Sequence, residues 1–360
     1  TLWLDGLRGI ASVLVMFHHS RLLWYPELGR GYASCASYYH IIQLPFLCLL
    51  YSGAPMVAIF FVVSGFSLSF KALSVMPTSQ CQSEKAFDAL SSSVFRRGIR
   101  LLMPPIVVTF FMILFTNFEW YGTGVGSRQP PHHHTLLGNV GQWLKSSLDI
   151  MDIFRPTFTK DVSYAVYMPP YDPNLWTIDV EFHGSMVVFC TLLGVVKLRD
   201  GWRMFVLGTI PLWLLWEAHS YLFLFLSSVL LAELHLRREY RSSLGLLPPH
   251  SLDKARKGFW VLNFAVAMYV LGIPLLHMGA AETPGYIFLA THIPSNYANP
   301  VYIKDTFWIY IAAVHLVFTI DRAPFLQSIF VTRVAWYLGK IGFALYLVHE
   351  TVLYTVGYRL

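Results

Sequence analysis

Charge is the first thing this sequence lacks. Asp, Glu, Lys and Arg make up 13% of its 360 residues, against about 25% in a soluble globular domain. Cysteine is scarce as well: there are four, with no Cys-x-x-Cys pair. Cys35 and Cys48 share one loop and could pair if that loop faces an oxidising lumen; the unpaired state is equally open. His-Glu-x-x-His, Gly-x-Ser-x-Gly and P-loop patterns are absent, which argues against common zinc proteases, serine hydrolases and P-loop ATPases. There is no internal repeat, no soluble domain and no recognisable cleavable signal peptide.

What fills the chain instead is apolar. Hydrophobic residues make up 55%, aromatics 16%, and the mean hydropathy is +0.52. Such a composition predicts an all-α polytopic membrane protein, a bundle of about 9–10 transmembrane helices, given about 20 apolar residues per crossing. Nine candidate spans are readable: roughly 8–25, 54–73, 100–118, 175–196, 203–217, 220–235, 258–278, 305–320 and 335–357. Residues 38–51 are long enough only for an interfacial or re-entrant piece. Polar insertions cover 74–99, 119–174, 236–257 and 279–304. The longest contains "PPHHHT", "FRPTFTK" and "YMPPYDPN" and reads as a structured extramembrane cap. With the N-terminus in the cytosol, 17 of the 26 Lys and Arg fall on the inner side, so that orientation is favoured. The net charge of +6 is then a topology signal rather than a mark of nucleic-acid binding.

Ionisable groups inside spans are functional candidates by default, because lipid makes them costly. Arg8 and His19 are eleven residues apart in "LDGLRGIASVLVMFHHS". That is three helical turns plus about 20°, so both face one side, separated by roughly 16 Å along the axis. His18 points about 100° away from His19. Glu181 in "NLWTIDVEFHGSM" and His349 in "IGFALYLVHETV" fall roughly 20 Å from the inner surface when counted from their own span ends. His19, Glu181 and His349 are therefore expected in one depth band. A histidine beside a carboxylate is the usual pairing for activating a hydroxyl. Asp179, His183 and Glu350 add titratable neighbours. Nearer the cytosol, Arg96, Arg97 and Arg100 open a span. Any one of them reads first as an inner-surface anchor, but with Arg8 they form a candidate phosphate-binding rim. An anion held at the cytosolic mouth with a base deeper in suits an acyl-CoA donor. Ser64-Gly65, central in "MVAIFFVVSGFSLSF", reads first as helix packing and second as a place for the acyl thioester. His132, His133 and His134 have no further ligand spacing and read as a polar loop; no metal is expected.

"LDGLRGIASVLVMFHH", "IFFVVSGFSLS", "RRGIRLLMPP", "LWTIDVEFHGSM" and "IGFALYLVH" follow one another along nearly the whole chain. In that order they resemble the acyltransferase 3 family of integral-membrane acyltransferases, its fungal-type branch most of all. The resemblance implies one transmembrane acyltransferase domain over 1–360. It implies transfer of an acyl group, acetyl first among them, from acyl-CoA to a hydroxyl of a small natural product or glycan. Carried over by position, it implies His19, Glu181 and His349 as catalytic residues, with His19 the general base. Arg8, Arg96, Arg97 and Arg100 would bind the donor, and Ser64 and Tyr346 the substrate. Many bacterial members carry two consecutive acids where this chain has Glu181 and Phe182. The missing initiator Met, and a further span expected after His349, read as a chain trimmed at both ends. The expected setting is a multi-pass protein of the endoplasmic reticulum or Golgi, its partners the bilayer and the acceptor. A transporter of acyl groups or small metabolites is the rival, disfavoured by the missing inverted repeat.

Overall fold

The computed structural model describes residues 2–74, 80–121, 130–133, 135–152, 167–246, 254–297 and 301–357. Twelve α-helices and no strand occur among them: α1 (Leu2–Trp24), α2 (Gly53–Ser74), α3 (Gln80–Asn117), α4 (Leu136–Met151), α5 (Trp176–Val195), α6 (Asp200–Trp216), α7 (Ser220–Ser243), α8 (Lys254–Leu271), α9 (Ile287–Thr291), α10 (Val301–Arg322), α11 (Pro324–Gln327) and α12 (Arg333–Val352). By length and composition four segments are fit to cross a bilayer: α2, Leu90–Asn117 of α3, Pro173–Val195 with α5, and α7. A fifth counts if Lys304–Arg322 and Pro324–Val331, bent by 103°, make one span. The protein is an all-α polytopic membrane protein. The remaining candidate spans form α1, α6, α8 and α12, helices of 17 to 23 residues.

Two boundaries differ from expectation. The span at 100–118 is only the C-terminal half of a longer rod: α3 has 38 residues, about 57 Å at 1.5 Å per residue. It runs on through Pro104 and Pro105, with the Thr109 hydroxyl donating to the Pro105 carbonyl at 2.9 Å. α12 ends at Val352, and Leu353–Gly357 winds as a wider π-turn. Within the expected cap, α4 is capped by Thr135, whose hydroxyl accepts from the Gly138 amide. It docks through Trp143, whose indole N–H donates to Thr109 at 3.1 Å, and through the Tyr171 hydroxyl on the Asn139 carbonyl. The "FRPTFTK" segment, His134, Arg128 and Arg359 lie outside the described residues. Cys35 and Cys48 are free thiols rather than a disulfide.

α2 is the hub, packed against α1, α5, α7 and α10, as its apolar circumference requires. The contact that positions the site is α1 against α12. These helices run parallel in a constant register: a Cβ on Gly9 would fall 2.2 Å from the Gly339 amide, and one on Gly342 2.8 Å from the Ser12 hydroxyl. Only glycine permits that approach. The same offset, carried one more stretch along both helices, sets His19 beside His349 with ring centroids 5.1 Å apart.

Candidate active site: two cavities joined by histidines

The first cavity, about 350 Å³, opens between α1, α2, α3, α5 and α12. Arg8, Ser64, Arg97, Arg100, Glu181 and Tyr346 line it. Val57 and Leu68 of α2 both face it, so it extends about 16 Å along that helix. Its polar centre is a closed triangle. Arg97 Nη2 donates to Glu181 Oε1 at 2.5 Å and to Ser64 Oγ at 2.8 Å, and the Ser64 hydroxyl donates to the same carboxylate oxygen at 2.8 Å. Arg97 Nε also donates to Ser185 Oγ at 3.1 Å. The guanidinium is thus neutralised and held from two helices, a charge-assisted arrangement of the stronger kind. Ser64 faces the cavity while its neighbour Gly65 packs on α7, where a Cβ would meet Ser228 Oγ at 2.1 Å. Helix packing thus falls to Gly65, and Ser64 is left facing the cavity.

Tyr346 closes the far end. Its hydroxyl bonds to Thr177 Oγ1 and to the Asn174 carbonyl. One turn beyond it stands His349, rings 5.7 Å apart, with Nδ1–H donating to the Tyr346 carbonyl at 2.6 Å. Nδ1 therefore carries the hydrogen and Nε2 is left as a buried lone pair with no hydrogen-bond partner. His19 lies between two rings, 5.1 Å from His349 and 5.2 Å from His18. Among the described residues its own nitrogens make no hydrogen bond. His18 in turn lines a second cavity of about 290 Å³ with Arg21, Arg30, Gln43, Tyr51 and His277. Gly53 admits the His18 ring, since a Cβ there would sit 2.5 Å from it. The three imidazoles form a file: His349 at one end stands against Tyr346 of the first cavity, and His18 at the other lines the second.

The acyltransferase family model, described as "Acyltransferase domain", matches residues 1–360. The chain belongs to this family. It is an acyltransferase. "O-acetyltransferase PaAT-1" of Phomopsis amygdali is 36% identical over all of this chain and 73% of that protein. "Acyltransferase clz18" of Cochliobolus lunatus is 24% identical over 99% of the chain and 83% of that protein. No solved structure matches.

Against this acyltransferase's geometry, the sequence-based site divides. Arg8, Ser64, Arg97, Arg100, Glu181 and Tyr346 share the first cavity, and His19 and His349 share a contact beyond it. Arg96 goes elsewhere: one residue before Arg97 is 100° around the helix, and its Nε–H donates to the Ser92 carbonyl of its own exposed face. Glu181 does not reach His19; it is bonded to Arg97 and Ser64. The single depth band fails for a geometric reason. Thr177 and Tyr346 fix the level at which antiparallel α5 and α12 meet. Glu181 lies four residues from that level one way and His349 three the other, about 10 Å apart. Counting each from its own span end missed this, because a span end is uncertain by more than a turn. His183 is directed at α4, with Nε2 3.1 Å from the Asp152 carbonyl. Ser185, Thr177 and Asn174 were not picked out. Ser185 was legible, one turn from Glu181 on the same face; the other two act through a contact between distant segments. No group of three His, Cys, Asp or Glu among the described residues is placed to hold a metal.

Proposed function

We propose that the chain is an O-acyltransferase that moves an acyl group, acetyl first among them, from acyl-CoA in the first cavity to an acceptor hydroxyl presented from the second. The observation that carries this reading is the file of His18, His19 and His349 between the two cavities. Transfer needs a base within reach of both reactants, and the file runs from Tyr346 of the first cavity to His18 of the second. The name of the Phomopsis relative, an O-acetyltransferase, supports the acetyl group and the ester product.

In this reading the CoA phosphates bind at Arg8 and Arg100, and the pantetheine arm runs along α2 toward Tyr346. His19 takes the proton of the acceptor hydroxyl as its oxygen attacks the thioester carbonyl. The tetrahedral intermediate collapses with loss of CoA thiolate, which receives that proton from the imidazolium. The Nε2 lone pair of His349 accepts an N–H of the charged His19. Glu181 serves as a positioning residue, holding Arg97 and Ser64 beside the thioester. The acceptor is a small natural product or a glycan. The N-terminus lies in the cytosol, following the Lys and Arg bias, in the endoplasmic reticulum or Golgi membrane.

The test is turnover of labelled acetyl-CoA by purified protein in lipid, with fungal metabolites and glycans as acceptors. His19→Ala should lower transfer by roughly 10²- to 10⁴-fold while CoA still binds. Undiminished transfer by the variant removes His19 as the base. Neither turnover nor CoA binding in the parent protein favours a transporter.

A further inference from the structure

The second cavity is cationic and carries no acid in its wall. Arg21, Arg30, His18 and His277 line it, with no Asp or Glu among the lining residues. His277 is matched by Asp305, 3.0 Å away. Arg21 is not matched. It is 8% exposed, and among the described residues it forms no ion pair. Its Nη1 donates to the Pro26 carbonyl at 3.2 Å and its Nη2 meets His18 Nδ1 at 3.3 Å. Neither brings a negative charge; His18 Nδ1 also lies 3.1 Å from the Tyr51 carbonyl, to which it can only donate, and Arg21 Nε is buried with no partner at all. A guanidinium offers five N–H donors, so several remain for a ligand. Glu27 is near enough to act on it through space but makes no bond to it. Arg30 stands over the Tyr38 ring at 5.3 Å, again without a carboxylate. A buried cation left against neutral acceptors is expensive unless an anion completes it.

We propose that the second cavity is an acceptor subsite for a hydroxylated carboxylic acid, its carboxylate held by the Arg21 guanidinium and its hydroxyl turned toward the histidine file. This rests on the transfer reading above and adds the substrate class to it. Arg21 lies one turn beyond His18 on α1, on the same face, and both line this cavity. His18 in turn stands against His19 with ring centroids 5.2 Å apart, so a carboxylate on Arg21 places the rest of the molecule at the start of the file. The carboxylate is a recognition handle and takes no part in the chemistry; the ester forms at the hydroxyl.

The probes are straight-chain ω-hydroxy acids of four to ten carbons and their methyl esters, offered with labelled acetyl-CoA to the full chain in lipid. In at least one pair the acid should exceed its methyl ester by roughly tenfold or more in kcat/KM, the scale of a hydrogen-bonded charge. Arg21→Met should abolish that preference by lowering the acid alone. A second variant keeps the charge and moves it: a Cβ on Gly29 would fall 2.2 Å from Arg21 Nη1, so Gly29→Ala should weaken the preference in part. CoA binding at the other cavity reports that each variant is folded. Equal use of acid and ester throughout the series, or a preference that survives Arg21→Met, overturns the proposal. Direct binding of the same acids and esters is read in parallel. Acid-selective binding lost in Arg21→Met, without acetyl-CoA turnover, keeps the anion site and removes the transfer reading; turnover without acid selectivity does the reverse.

Discussion

Arg97 and Arg21 each sit in the wall of a cavity inside an apolar bundle, and the protein treats their charges in opposite ways. Arg97 is matched by Glu181 at 2.5 Å and braced by Ser64 and Ser185. Arg21 has a carbonyl and an imidazole. A neutralised guanidinium is a rigid part of the wall, fixed before any ligand arrives, whereas one with no carboxylate bonded to it is held ready for what binds. The pair also marks a division of labour along α1: its beginning faces a cavity whose charges are partly settled, and its end faces one whose charges are not.

The comparison can be broken by removing one charge from each region. The largest effect on folding should come from Glu181→Ala, which leaves Arg97 uncompensated at about one-fifth exposure. Breaking a fully buried pair costs about 3–5 kcal/mol, and this part-buried pair falls toward the lower end of that, so thermal unfolding in detergent should begin below that of the parent, with transfer lost. Next is Gly9→Val, which forces α1 from α12 where a Cβ already has 2.2 Å. An overpacked contact costs about 1–3 kcal/mol, and the separation of His19 from His349 should lower kcat more than it raises the KM for acetyl-CoA. Arg21→Met should be near neutral or stabilising, because a buried charge with no carboxylate bonded to it is exchanged for an apolar chain. A loss as large as that of Glu181→Ala would show that Arg21 is part of the settled structure, and the contrast would fall. The smallest effect belongs to Arg96→Ala, expected within about 0.5 kcal/mol with CoA affinity unchanged, since its side chain faces away from the cavity that Arg97 lines.

Much of the fold was readable from the sequence. Low charge and long apolar runs determined an all-α membrane protein, because a backbone in lipid must satisfy its own hydrogen bonds. The helical period placed Arg97 and Arg100 on one side and carried Arg8 and His19 along one face of α1. What sequence periodicity leaves open is the vertical offset between helices, and here it mattered. Glu181 and His349 looked level when each was counted from its own end; the Thr177–Tyr346 bond sets them about 10 Å apart, on opposite sides of the tyrosine that closes the first cavity. The Gly9–Gly339 contact is of the same kind, since no local pattern in α1 announces which glycine more than 300 residues later will meet it. Arg21 showed the same limit. In the sequence it was one more cation at the outer end of a span; its lack of a bonded carboxylate depends on which loops fold over it. Composition and period therefore determined the class of protein and the face of each helix. Tertiary packing alone decided the register between helices, and with it which charges are matched and which cavity each histidine serves.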